Sequence, residues 1–436
     1  MKPAQQLLVC SLVLSPVVHA QVKDANDNAL DFGVSADYRS TDNAKRSALE
    51  ELAITETQAI YQASVGARYQ NEWSQLKSDY EVSKETFQHA SQPDATELEG
   101  KTQLTFGNDY QPLSLALSHS RIAMLDSPEA LDLAKNRDTQ EIITVAPALK
   151  THFGAADSIV VMGSFTDVSY KKEQQKKSEQ QGLQLAWIHG VSKTDTIQIT
   201  AQHTETSFDF VPQADYQLQG ASAQYSVALK RLNYTVQAGY NRAVSEISDE
   251  DFASPTYKIE SSYISGTHTF VLSLAESITD SSMGSSGPSF GDVDSGSGSP
   301  AKGVGIDLIN VRKASLSWST SALCERCNFG VNATQSTQDY KNLREDGDEY
   351  SVGTFFKYNF TRAASVDLSF IHQEQKFSAN GDRIGFDSND AKVSFNYTIT
   401  QDLQLGLYAH REKRTSALAV QNYQENIVGL NLSYHF

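Results

Sequence analysis

The chain has 436 residues, of which 53 are acidic and 36 basic, giving a formal net charge of -17. So anionic a chain repels a phosphate backbone, which excludes nucleic acid as a partner. Mean hydropathy is -0.42 with 39% hydrophobic residues, and no apolar run reaches the roughly 20 residues a membrane helix needs, so helical spanning is excluded too. A transmembrane barrel passes this test, because its strands alternate lipid-facing and lumen-facing residues and only half of each must be apolar.

The amino-terminal stretch reads as a targeting signal. Lys2 and the terminal amine make a positive region, Leu7 to Leu14 an apolar core, and Val18-His19-Ala20 a cleavage site, the pattern of a secretory signal peptide spanning residues 1–20. Cys10 is not a lipidation site, since bulky Val9 precedes it and the apolar core continues past it. Residues 21–29 form a short periplasmic segment and residues 30–436 one barrel domain. With only Gln21 to Ala29 ahead of the first strand, no plug, passenger or periplasmic domain is expected, so gating from the periplasm would need another protein.

Alternating strands follow. The first runs near Leu30 to Tyr38; later ones show Leu113, Leu115 and Leu117, then Ile197, Ile199 and Ala201, then Tyr234, Val236, Ala238 and Tyr240, then Leu316 and Trp318, each with period two. Short turns near Gln70-Asn71, Gly107 to Tyr110, Gly154 to Asp157, Gly190 to Asp195, Lys230-Arg231, Gly266-Thr267, Cys324 to Cys327, Phe360 to Ala363 and Thr400 to Asp402 alternate with longer charged loops. Short turns on one side and long loops on the other are the asymmetry of transmembrane barrels. The cadence predicts an all-β fold, an antiparallel up-and-down transmembrane barrel of about 18 to 20 strands. Twenty strands close into a barrel on the order of 40 Å across, wide enough for a polymer and in need of restriction.

The loop from Thr279 to Gly303, with its Ser and Gly runs, is composed as a flexible segment that folds into the lumen or extends outside it. Asp280, Asp292 and Asp294 are its gating candidates; they lack the ligand spacing of a calcium loop, and no metal or cofactor is expected. Cys324 and Cys327 flank Glu325-Arg326 at a periplasmic turn, where an oxidising compartment favours a local disulfide. No His follows Cys327, against c-type haem attachment, and no second cysteine pair completes a zinc site. The ten His residues are scattered, without Gly-x-Ser-x-Gly or His-Glu-x-x-His sequences, so no enzymatic activity is expected.

The last strands alternate most cleanly. Val366, Leu368 and Phe370 oppose Asp367 and Ser369; Val393, Phe395, Tyr397 and Ile399 oppose Asn396; Leu403, Leu405 and Leu407 oppose Gln404 and Tyr408. Asp367, Asn396, Gln404, Tyr408 and His410 are therefore the lumen-lining candidates. Val428, Leu430, Leu432, Tyr434 and Phe436 then give the closing strand an apolar face to its last residue. Here the chain resembles bacterial outer-membrane β-barrel proteins of Gram-negative cells, whose terminal aromatic residues, Tyr434 and Phe436 here, serve as the signal for the barrel-assembly machinery. The resemblance implies an outer-membrane location, with lipid and lipopolysaccharide as surroundings.

Phe32-Gly33-Val34-Ser35-Ala36-Asp37-Tyr38-Arg39-Ser40-Thr41-Asp42-Asn43, followed by Ile60 to Tyr69, also resembles the opening of the outer-membrane barrels encoded with exopolysaccharide and exosortase (PEP-CTERM) systems. That resemblance implies the outer-membrane component of exopolysaccharide export, with polysaccharide as cargo and a periplasmic polysaccharide-export protein as partner. A passive diffusion porin for small solutes is the alternative; a structural or adhesive barrel, or the sheath of an electron conduit suggested by the Cys-x-x-Cys, are the others.

Overall fold

A computed structural model describes residues 28–107, 111–127, 129–245, 251–280, 282, 306–343, 345–378 and 383–436. The signal peptide, most of the 21–29 segment, Asp292, Asp294 and most of the 279–303 loop lie outside the described residues.

The chain forms β1 (Ala29–Thr41), β2 (Glu56–Gln70), β3 (Ser74–Phe87), β4 (Ala95–Phe106), β5 (Leu113–Leu125), β6 (Arg137–Phe153), β7 (Asp157–Tyr170), β8 (Ser178–Gly190), β9 (Asp195–Phe208) and β10 (Tyr216–Ala228). It continues with β11 (Leu232–Ser245), β12 (Asp251–Ser265), β13 (His268–Asp280), β14 (Leu308–Thr320), β15 (Cys327–Tyr340), β16 (Gly347–Asn359), β17 (Ala364–Phe377), β18 (Phe386–Thr398), β19 (Leu403–Ser416) and β20 (Tyr423–His435). Each strand pairs antiparallel with the next, and β1 pairs with β20 from Gly33↔His435 to Thr41↔Ile427. The sheet of 20 strands is thus a closed up-and-down barrel with no free edge, the condition for crossing a bilayer with strands.

Lipid and water explain the two faces. Outward positions carry a belt of apolar residues, for example Leu30, Phe32 and Val34 on β1, Leu183 and Leu185 on β8, and Val428, Leu430 and Leu432 on β20, all exposed. At the short-turn end the belt closes with aromatic rings in contact across strands: Tyr263 with Phe270, Phe270 with Trp318, and Trp318 with Phe329, centroids 6.4, 6.5 and 5.9 Å apart. Such amphipathic rings sit at a membrane boundary. Toward the long loops the outward positions turn charged, as in the Arg242–Asp251 and Arg312–Asp339 pairs at 2.6 and 2.7 Å.

Strands extend further into the charged segments than their composition suggests. β19 continues to Ser416 through Glu412 and Arg414, β18 begins at Phe386, β12 at Asp251, and β13 retains Thr279 and Asp280. Beyond the lipid belt both faces meet water or polar loops, so polar residues no longer end a strand that has a neighbour to pair with.

Candidate functional site

The interior is the face on which non-adjacent strands meet through side chains, and ladder register assigns every inward position. From β7 to β11 no inward position is charged. This wall presents Ser164, Thr166, Gln180, Gln184, Gln198, Thr200, Gln202, Thr204, Ser222, Gln224, Gln237 and Asn241 in register. They bond to one another: Gln237 Nε2 donates to Ser222 Oγ at 2.9 Å, Gln224 Nε2 to Ser226 Oγ at 3.0 Å and Gln198 Nε2 to Thr200 Oγ1 at 3.0 Å. Gly220 leaves room for the Asn241 amide, since a Cβ there would sit 2.3 Å from Asn241 Oδ1 and displace it.

The opposite wall, from β16 through β20 and on to β4, is charged. Arg39 donates to Glu85 at 2.6 Å and also to Gln58. Tyr408 Oη donates to Asp37 at 2.8 Å, with the Lys392 ammonium 5.2 Å from its ring, and lies across Gly429, where a Cβ would meet its Cζ at 2.3 Å. His410 Nε2 is 2.5 Å from Asp390 Oδ2, and Asn396 Nδ2 donates to Asp367 at 2.7 Å, with Lys357 3.6 Å away. On β3 and β4, Asp79, Glu81, Glu85, Glu97 and Glu99 face inward with only Lys77 and Lys101 as bases.

Asp367, Asn396, Gln404, Tyr408 and His410 all share this inner face. Tyr434 and Phe436 lie at the end of β20, their rings 4.6 Å apart, with Phe436 N–H donating to Phe32 O. Cys324 and Cys327 are joined by a disulfide in the turn between β14 and β15.

The long-loop half of the lumen is crossed by the chain itself. The β12–β13 ladder stops at Tyr257↔Glu276, whereas β13 stays paired with β14 up to Asp280↔Leu308. The tip of this hairpin therefore leaves the wall and lies against the inner face of β9 to β12, where Ile278 and Leu308 bury against Phe208, Tyr216 and Ala243. Asp280 is 2% exposed; it accepts from Tyr216 Oη at 2.5 Å, from Gln180 Nε2 at 3.1 Å and from Ser282 N at 2.7 Å. Ser282 is anchored across the lumen in turn, its carbonyl accepting from Gln140 Nε2 at 2.7 Å and Tyr170 Oη at 2.6 Å, its hydroxyl bonded to Ser178 at 3.0 Å. Beside it lies a cavity of about 340 Å³ lined by Phe208, Tyr216, Asp280, Ile306 and Leu308 among others.

A second crossing joins the β5–β6 loop to the far wall. Glu129 Oε2 accepts from Arg383 Nε at 3.0 Å and lies 2.8 Å from its Nη2 as an ion pair, and the Glu129 carbonyl accepts from Arg414 Nη2 at 2.6 Å. Each guanidinium also lies 3.6 Å from an aromatic centroid, Arg383 over Phe377 and Arg414 over Phe386. Arg46, in the loop after β1, pairs with Glu412 at 3.0 Å and Glu425 at 3.1 Å. Burial alone would lower its pKa, but the Glu412 and Glu425 carboxylates hold it above the ordinary arginine value, so it stays charged. These crossings carry no sequence signal beyond an inward aromatic at many strand ends, among them Phe87, Tyr170, Phe208, Tyr216, Tyr340, Phe386 and Tyr423, all buried.

A closed antiparallel barrel of 20 strands, apolar outside and polar within, has the fold of bacterial outer-membrane β-barrels and is built to sit in that membrane. No protein-family profile and no curated protein sequence matches the chain. Solved outer-membrane barrels do. The siderophore receptor PirA from Acinetobacter baumannii superposes with a TM-score of 0.53 at 9% identity, over 95% of this chain and 81% of that one. A loop L8 deletion mutant of OmpT, an outer membrane protein of Vibrio cholerae, gives 0.38 at 10% identity, over 94% and 99%. OccK3 of Pseudomonas aeruginosa gives 0.37 at 9%, over 94% and 96%. At such identities the likeness is one of fold alone.

Proposed function

We propose that this barrel is a passive diffusion pore for small hydrophilic solutes. The observation that carries the reading is the narrowing of the long-loop half of the lumen by the chain's own segments. Ser282 is fixed to β6, β7 and β8, and Glu129 to Arg383 and Arg414, while the half nearer the short turns keeps a polar wall. Crossings of this kind set a fixed size limit, because each would have to break several hydrogen bonds or ion pairs to move aside.

Exopolysaccharide export is the second reading, and the uncharged amide and hydroxyl wall from β7 to β11 favours it, since such groups exchange hydrogen bonds with a sliding glycan without holding it. It requires the Glu129–Arg383 bridge to part for a chain to pass, with a periplasmic partner to drive that opening. No catalytic step is assigned: His119, His189, His203, His268 and His372 share the outward face, and His410 is held by Asp390. Swelling of liposomes containing the refolded chain separates the readings. Entry of monosaccharides that falls steeply with solute size supports the diffusion pore. Impermeability to every solute, relieved only by loss of the Glu129–Arg383 bridge, would turn the assignment toward a partner-gated exporter.

A further inference from the structure

Seven inward aromatic side chains at the long-loop ends of the strands are covered. Phe87, Tyr170, Phe208, Tyr216, Tyr340, Phe386 and Tyr423 are between 2% and 8% exposed beneath the long-loop segments. Phe355 differs. It sits in the half of β16 nearer the short turns, in register with Gly330 on one side and Ser369 on the other, and is 39% exposed. Gly330 makes its posture necessary: a Cβ there would lie 2.2 Å from Phe355 Cε1, so the ring lies flat over the neighbouring strand. A phenyl needed only to cover a glycine would be buried by its neighbours; this one keeps a face open to the lumen.

A second aromatic lies flat nearby in the same manner. Tyr408 on β19 rests on Gly429 of β20, as Phe355 rests on Gly330 of β15, so five strand spacings, roughly 24 Å along the sheet, separate the two rings. Between the two, the ladder row Lys357, Asp367, Ser394, Tyr408 places polar groups side by side, with Asn396 bonded to Asp367 and Lys392 near the Tyr408 ring. The wall thus runs aromatic, carboxylate and amide, hydroxyl and ammonium, aromatic.

We propose that this track, from Phe355 to Tyr408, binds a saccharide chain of about four to five rings, the length its span allows. The inference rests on the pore reading and names its preferred solute. The C–H face of a pyranose carries slight positive charge and sits on the negative face of an aromatic ring. Its hydroxyls, each donor and acceptor, need the mixture that Asp367, Asn396, Ser394 and Lys392 provide. The binding is shallow, on one wall of a wide lumen, so it slows passage without blocking it.

The test is single-channel recording of the refolded full-length chain in a planar bilayer, with maltopentaose, cellopentaose or penta-N-acetylchitopentaose added on the short-turn side. At least one sugar should cause reversible current interruptions. Phe355→Ala should weaken that association at least tenfold with the open-channel current preserved, Phe355→Tyr should retain it, and Asp367→Asn should weaken it less. Heat-modifiable migration in gels verifies that each variant folds. A conducting pore that none of the three sugars interrupts, or that they interrupt equally in Phe355→Ala, overturns the track and leaves the pore standing. A barrel that does not conduct sinks the pore reading instead. Equilibrium dialysis of the same sugars against the detergent-solubilised chain then decides the track: a tenfold loss in Phe355→Ala supports it, and equal or absent binding overturns it.

Discussion

The wall from β7 to β11 and the wall from β16 through β20 to β4 are made of the same hydrogen-bonded strand, and their outward faces are interchangeable. Leu183, Leu185 and Ile199 on one match Leu407, Leu430 and Leu432 on the other, all exposed. Inward they diverge. One presents amides and hydroxyls that bond mainly among themselves; the other presents Arg39, Asp37, Asp390 and the carboxylates of β3 and β4. Lipid dictates one face everywhere, whereas water in the lumen accepts either polarity, so the inward face is where sequence is free to carry function.

An outward cation tests that shared dependence on lipid. Ile199→Arg and Leu407→Arg should each destabilise the barrel by about 2–4 kcal/mol if they lie near the bilayer midplane, read by urea unfolding in vesicles. The inward Gln202→Arg on the same strand as Ile199 should cost far less. Equal penalties for inward and outward sites would break the division into faces.

Arg383→Ala removes the bridge to Glu129. The Arg383 side chain is 6% exposed and that of Glu129 21%, so the loss should be about 2 kcal/mol, below that of a fully buried pair, and single-channel conductance should rise. Unchanged conductance would mean the crossing does not narrow the path.

Replacing Asp79, Glu81 and Glu99 together by their amides should remove about half of the difference in net charge between the two walls. The preference for cations over anions should then fall toward unity, without loss of stability beyond the exposed-charge range of about 1 kcal/mol. The smallest effect on current belongs to Tyr170→Phe, which removes the hydrogen bond to the Ser282 carbonyl and the one accepted from Gln140 Nε2 and should cost about 1–2 kcal/mol, seen as a lower unfolding midpoint.

Much of the architecture was legible in the sequence because a barrel strand is a local object. Alternation from Val428 to Phe436, the glycine turns at Gly154 and Gly266 with φ of 83° and 61°, and the regular exchange of short turns with charged loops yield the strands and their order. Strand ends were less legible: Glu412 and Arg414 read as loop by composition, yet they are ladder residues whose partners are Glu425 and Tyr423. Parity with apolar neighbours picks out Asp367, Asn396, Tyr408 and His410, but nothing nearby in sequence names Asp37, which is 371 residues from Tyr408. The Glu129–Arg383 bridge spans 254 residues and leaves no periodic trace. Phe355 was hidden for a different reason: Phe355-Phe356 puts one ring on each face, and the pair blurs the alternation that would separate them.

The most direct test of the account is the reversal potential of the unmodified, refolded barrel in a planar bilayer under a potassium chloride gradient. A steady current that reverses at a potential of the sign expected for cation preference is the predicted result, since acids outnumber bases on the charged wall and the opposite wall is neutral. An anion-preferring current, or no current from a correctly folded barrel, would contradict it.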